Sequence, residues 1–241
     1  MNRGAIGSGR GAWRALAAGL VGLCFLAPLP AGAEGLLARI GCGTPVIPLD
    51  PPAGADAVVL VIGSSSTAGT GAGEAPAYPE VAGRLTGLAV RALGVGGETA
   101  SGALARLPAL LAAHRPAVVV WQVGTNDARA GVPPAALAAT LDAGIAAARG
   151  AGARVILLDP QFYPRAATDA AYRAAVATVA AAARRHGTGL VTRFARMEDA
   201  GAEIEALLAG DRFHMNAAGH ACLGHDLAAA LDGAAHPPSP R

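Results

Sequence analysis

Five short apolar runs recur along the chain, each followed by a longer Ala/Leu-rich segment, and this alternation limits the fold more than any other feature. The runs are AVVLVIG (57–63), LAVRALG (88–94), AVVVWQVG (117–124), RVILLD (154–159) and GLVTRF (189–194). Near-continuous apolar runs suit strands buried on both faces, the pattern of a parallel sheet. The segments between them predict helices over 78–85, 101–114, 134–149 and 168–186, with a last over 216–231. In the second of these, Leu104, Leu107, Leu110 and Leu111 share one face. The expected architecture is α/β: a three-layer α/β/α sandwich around a five-stranded parallel sheet, in the flavodoxin-like order 2-1-3-4-5. There is no internal repeat, and 241 residues suffice for one domain with a substantial core.

The flanks read differently. Residues 1–33 have a basic start, an apolar run from Ala15 to Ala27, helix-breaking Pro28 and Pro30, and small Ala31 and Ala33. This is the pattern of a signal peptide cleaved before Glu34. About thirteen apolar residues are too few for a bilayer span, which takes roughly twenty. Leu23 before Cys24 argues against a lipoprotein site. Residues 34–56, with CGTPVIPLDPPAGAD, read as a proline-rich arm lying on the 57–232 domain, and 233–241 as a frayed tail. The expected location is periplasmic or secreted, with no stable membrane insertion after cleavage.

Composition excludes several classes. With 53% hydrophobic and 15% charged residues, disorder over most of the chain is excluded. The formal charge of +2 comes from scattered arginines, since the chain has no Lys. Without Arg3, Arg10 and Arg14 the balance falls to about −1, which offers nothing to a polyanion such as nucleic acid.

The chemistry-bearing residues follow the strands, where ligand sites of open parallel sheets lie. GSSSTAG follows the first run, GVGGET the second and GTND the third, and GDRFHMN precedes the last helix. Acyl transfer needs a nucleophile, a base, a group orienting that base and donors to an oxyanion. Ser65, in a tight turn at a strand end, is the candidate nucleophile; a merely polar turn is the plainer reading of the three serines. His214 is the candidate base. Asp211, three residues before it, can reach its Nδ1–H and leave Nε2 toward Ser65, although a chance D-x-x-H is common. The Asn126 side chain and the Gly97 and Ser65 N–H groups are the candidate oxyanion donors, or parts of ordinary turns.

Taken together, GSSSTAG, GVGGETASG, VGTND and DRFHMN resemble the four blocks of the SGNH (GDSL-type) hydrolases over nearly all of 57–232. The segment LARLPALLAAHRP resembles that of the periplasmic thioesterase–lysophospholipase branch. The resemblance implies a carboxylic ester hydrolase that needs no cofactor. It places Ser65, Asp211 and His214 in a triad, and Ser65, Gly97 and Asn126 in the oxyanion hole. Ser64 stands where the family usually has Asp, a position outside the triad, which leaves the rigidity of the turn in question.

Rival readings are a metal site from His214, His220, His225, Asp211 and Asp226, a nucleotide-binding module, and a non-catalytic polysaccharide-binding relative. His220 and His225 are five apart and share a helix face poorly; His220 reads as a rim or solvated position. The glycine-rich segments fit neither G-x-G-x-x-G nor a P-loop, which needs Lys. No metal, cofactor or nucleic acid is expected, and a monomer is. The expected substrate is a small-molecule or polysaccharide ester, with O-acetyl hydrolysis or transfer on a polysaccharide as the alternative. Gln161 and Tyr163 in DPQFYP are candidates for holding the alcohol portion. The short loop ARAGVPP, with only Val132 large and apolar, favours a short acyl chain.

Removing the signal peptide leaves Cys42 and Cys222. An even number in an oxidising compartment predicts a bridge between them, the alternative being two separate core thiols. Closing a loop of about 180 residues gives roughly 5 kcal/mol in the chain-entropy model, an upper figure.

Overall fold

The computed structural model describes residues 33–43 and 57–232. The strands are β1 (Val58–Gly63), β2 (Ala89–Gly94), β3 (Val118–Gln122), β4 (Arg154–Leu158) and β5 (Gly189–Val191). The helices are α1 (Ala33–Ile40), α2 (Tyr78–Thr86), α3 (Ala100–His114), α4 (Thr125–Arg129), α5 (Pro134–Gly150), α6 (Ala170–His186), α7 (Arg193–Asp199) and α8 (Ala217–Asp232). All strand pairs are parallel, in the order β2-β1-β3-β4-β5, as the alternation of runs predicts.

The strand sequences are apolar throughout because both faces of the sheet are covered. Val59, Val61, Val118, Val120, Ile156 and Leu158 point to one side, against Tyr78 and Ala82 of α2 and Leu223 and Leu227 of α8. Leu60, Ile62, Val119, Trp121, Val155 and Leu157 point to the other, against Leu107 of α3, Leu141 and Ile145 of α5 and Val179 of α6. The register aligns the carboxyl ends: Gly63 pairs with Gly94, Ile62 with Trp121, and Gln122 with Leu158. The polar segments after β1, β2, β3 and β4 therefore leave the sheet along one edge.

Two expectations need correction. The fifth run does not stay extended to 194: β5 ends at Val191 and Arg193 opens α7. The Asp159 carboxyl, at the end of β4, accepts the Phe194 N–H at 2.9 Å, satisfying one of the free donors of that helix start. This is a tertiary contact that no local pattern reveals. The segment 34–56 is also not an irregular arm at its start. Residues Ala33–Ile40 are helical, with Glu34 in the first turn and Arg39 in the last, each suited to the helix dipole. Eight residues are too few for a legible period. The expectations for 1–32, 44–56 and 233–241 fall outside the described residues. Among the described residues no helix is long and apolar enough to cross a membrane.

Leu37 of α1 packs against Ala221 and Cys222 of α8, and Cys42 is bridged to Cys222 with Cα atoms 5.1 Å apart. Other tethers hold the same segment. The Gly43 N–H donates to Asp226 Oδ1 at 2.6 Å, and the Arg196 guanidinium donates to the Ile40 and Gly41 carbonyls. Replacing both cysteines by Ala is therefore expected to cost about 2 to 3 kcal/mol, below the chain-entropy limit, because these bonds keep part of the constraint. Thermal unfolding should fall by roughly 5 to 10 °C; an unchanged midpoint would show that the bridge contributes nothing.

Candidate active site

The three serines after β1 separate by burial. Ser64 and Ser66 are 3% and 2% exposed, while Ser65 between them is half-exposed. The turn closes on its own backbone: Ala68 N–H donates to Ser64 O and Thr70 N–H to Ser65 O. Gln122, at the end of β3, holds it from below, with Oε1 accepting from Ser64 N (2.8 Å), Ser64 Oγ (3.1 Å) and Thr67 Oγ1 (3.2 Å). An uncharged residue at 64 thus still leaves the turn anchored, and only Ser65 is turned outward.

Ser65 Oγ lies 3.0 Å from His214 Nε2, and His214 Nδ1 lies 2.5 Å from Asp211 Oδ2. A carboxylate only accepts, so Nδ1 carries the proton and Nε2 is free to accept from Ser65. Asp211 Oδ1 also accepts the Phe213 and His214 N–H groups at 3.0 and 2.9 Å, which folds the D-x-x-H segment into a tight turn. Burial alone would raise the Asp211 carboxyl, but its bonds from His214 and these two N–H groups hold it down at about 2. One close contact fits this turn to the serine loop, and a local bond joins it to α8. Gly71, at φ +95°, packs where a Cβ would collide with the Met215 carbonyl. Asn216 Oδ1 accepts from Gly219 N–H at the start of α8.

The third strand end supplies α4. Asn126 Nδ2 donates one hydrogen to the Glu98 carbonyl at 2.9 Å, which leaves its second hydrogen without a partner among the described residues. Gly97, next to Glu98, has φ +76° and open space where a Cβ would be. Neither the Gly97 nor the Ser65 N–H has an acceptor among the described residues. Asp127, 2% exposed, explains why this loop keeps its shape: both its carboxyl oxygens accept from Ala100 N–H at the start of α3, at 3.0 and 3.1 Å. Such an arrangement can pass the Ser65 proton to His214 and offer donors to a negative oxygen.

Behind the site lies a buried polar network of which the sequence gives almost no sign. The Arg193 guanidinium, 2% exposed, donates to the Asp159 carbonyl (Nη2, 3.0 Å), Ser66 Oγ (3.3 Å) and Gln161 Oε1 (3.4 Å). Gln161 corrects an expectation. It is 1% exposed, Oε1 accepts from Ser66 Oγ at 2.9 Å, and Nε2 donates to the Phe213 carbonyl at 2.8 Å. Buried in this way it does not face a substrate; it ties the residue after Ser65 to the residue before His214. Tyr163 stays half-exposed, edge-on to Phe213 with ring centroids 5.0 Å apart. It lines a cleft of about 480 Å³ with Arg129, Pro164, Arg165 and the turn 211–213.

His220 also departs from expectation. It is fully buried: Nδ1 accepts the Tyr78 N–H at 3.3 Å, and Nε2 donates to the Thr70 carbonyl at 3.1 Å. Both nitrogens are used within the fold, and desolvation lowers its pKa to about 4. The native state then binds fewer protons than the unfolded chain between pH 4 and 6.5. The contribution of this group to stability is complete above pH 6.5 and is lost as pH falls toward 4. Asp159 acts oppositely, since burial pushes its carboxyl up to about 7 and its destabilisation grows as pH rises from 3.8. The two slopes offset each other across the acidic range. The expected result is an NMR titration in which the His220 ring protonates near pH 4; an inflection near 6.5 would contradict its burial.

A model of the non-GDSL lipase-like family matches residues 53–237. The chain belongs to that family. The match spans the described domain, including the segments that carry Ser65, Gly97, Asn126, Asp211 and His214. Esterase TesA of Pseudomonas aeruginosa is 47% identical over 70 residues, which are 29% of this chain and 35% of the relative. An arylesterase of Vibrio mimicus is 34% identical over 70 residues, with the same shares. The chain thus aligns with about a third of the length of these two curated relatives. The crystal structure of TesA matches more widely, with a TM-score of 0.64 at 28% identity, covering 72% of this chain and 97% of that one. The strand order and the family agree.

Proposed function

We propose that this chain is an exported serine ester hydrolase acting through an acyl-enzyme. The observation that carries the reading is the line from Asp211 through His214 to Ser65, with spacings of 2.5 and 3.0 Å. As Ser65 Oγ bonds to the ester carbonyl carbon, its proton moves to His214 Nε2 and the carbonyl π pair moves to oxygen. The Ser65 and Gly97 N–H groups and the Asn126 amide receive that oxygen. When the C–O bond to the alcohol breaks, His214 returns the proton to the leaving oxygen. Water repeats the sequence and releases the acid and Ser65. Asp211 stays ionised throughout, orienting the imidazole and stabilising its cation. The esterase relatives support the reaction class, and the Cys42–Cys222 bridge supports an oxidising compartment.

Short acyl groups suit the site better than long ones. The walls beside it carry Arg129, Arg165 and Tyr163, and Leu85 and Val95 are the strongly exposed large apolar residues among those described. The test is turnover of p-nitrophenyl esters from acetyl to palmitoyl, with acetylated polysaccharide included. Activity concentrated on short chains is the expected result. No hydrolysis of any ester would overturn the proposal, and a palmitoyl optimum would overturn the chain-length reading.

A further inference from the structure

The cleft beside the Asp211–His214 turn carries positive charge that the fold does not use. Arg212 is paired with Glu205, and Asp211 is committed to three N–H groups. Arg129 and Arg165, which line the same cleft, have no hydrogen bond or ion pair among the described residues. Elsewhere Arg84, Arg106, Arg173 and Arg185 each have a carboxylate partner. Arg129 is also held in place. Its Cζ lies 4.6 Å from the centroid of Phe213, and that ring lies 4.9 Å from the His214 imidazole. A guanidinium stacked on an aromatic face keeps the N–H groups at its edge free for a planar or tetrahedral oxyanion. Arg129 is one turn beyond Asn126 on α4, so its anchor connects the candidate oxyanion donor, the imidazole and the cleft.

We propose that the cleft lined by Arg129 and Arg165 receives a carboxylate or phosphate carried by the substrate, so that the enzyme is built for anionic esters. This rests on the ester-hydrolase reading for its chemistry but not for its binding. A hydrocarbon chain gains little from a wall bearing two unpaired guanidinium groups, which would have to give up water to admit it. A substrate anion replaces that water with charge-assisted hydrogen bonds, strong in geometry and weakened by exposure to salt.

The test compares matched pairs. 4-Acetoxybenzoate against methyl 4-acetoxybenzoate places the charge on the alcohol side, and p-nitrophenyl hemisuccinate against its methyl ester places it on the acyl side. The expected result is a kcat/KM ratio favouring the anion by about tenfold in at least one pair at low salt. In the Arg129→Gln, Arg165→Gln double variant, and in about 0.5 M NaCl, that ratio should fall to near one. Ser65-dependent hydrolysis of the neutral esters with no anionic preference in either pair would overturn the anion site and leave the hydrolase standing. Binding is read separately on the Ser65→Ala protein, by titrating the unreactive amides 4-acetamidobenzoate and 4-acetamidobenzamide. If no ester is hydrolysed, tighter binding of the acid that the double variant loses supports the anion site while the hydrolase reading fails. Equal or absent binding of the two amides in that case overturns both.

Discussion

On the proposed mechanism, Ser65→Ala is expected to lower kcat/KM for any ester substrate by at least about 10⁴-fold, since the members of a triad act as a unit and loss of the proposed nucleophile removes the covalent route. The effect should be specific to the middle serine. Ser65 is half-exposed with Oγ 3.0 Å from His214 Nε2, whereas Ser64 and Ser66 are buried and face away from the imidazole into other bonds. Ser64→Ala leaves Gln122 Oε1 with the Ser64 N–H and Thr67, and should stay within about tenfold of full activity while costing about 1 kcal/mol. Ser66→Ala takes an acceptor from the buried Arg193 guanidinium and a donor from Gln161, so its cost of about 1 to 3 kcal/mol should appear in stability before activity. Steady-state kinetics and thermal melts on the three variants separate these outcomes. Near-normal turnover by Ser65→Ala would remove the proposed mechanism altogether.

Asn126→Ala should reduce kcat by about 10² to 10³, the usual cost of one preorganised oxyanion donor, with KM changed little. The Asn126 amide is held in place before substrate arrives. One amide hydrogen is fixed on the Glu98 carbonyl, and the neighbouring Asp127 carboxyl locks α4 against the start of α3. The second hydrogen is therefore held in one direction, and in the proposed mechanism it meets charge that develops only as Ser65 attacks. Asn126→Asp keeps the shape but sets an anion beside the forming oxyanion, and should be at least as damaging. If Asn126→Ala raised KM and left kcat intact, Asn126 would be a ground-state substrate contact instead.

Legible in the sequence alone were the parallel sheet, the helices α2, α3, α5, α6 and α8, and the order of the site segments. Both faces of β1, β3 and β4 are buried, so their local sequence is apolar without interruption, and a pattern of that kind is legible in one dimension. The spacing of Asp211 and His214 was legible for a similar reason, because both ends of that contact lie within a single turn. The tertiary structure decided what depends on distant partners. Whether residues 192–194 continue β5 or open α7 turns on Asp159 at the end of another strand. The roles of Gln122, Gln161 and Arg193 turn on which backbone and hydroxyl groups come within about 3 Å of them, and no spacing rule encodes that. Gln161 looked like a substrate ligand because glutamine after a strand sits at the right edge; only the packing shows its amide turned inward, between Ser66 and Phe213. The choice among three adjacent serines has the same cause. Identical side chains differ only in where the turn points them, and the turn is set by Gln122 from a neighbouring strand.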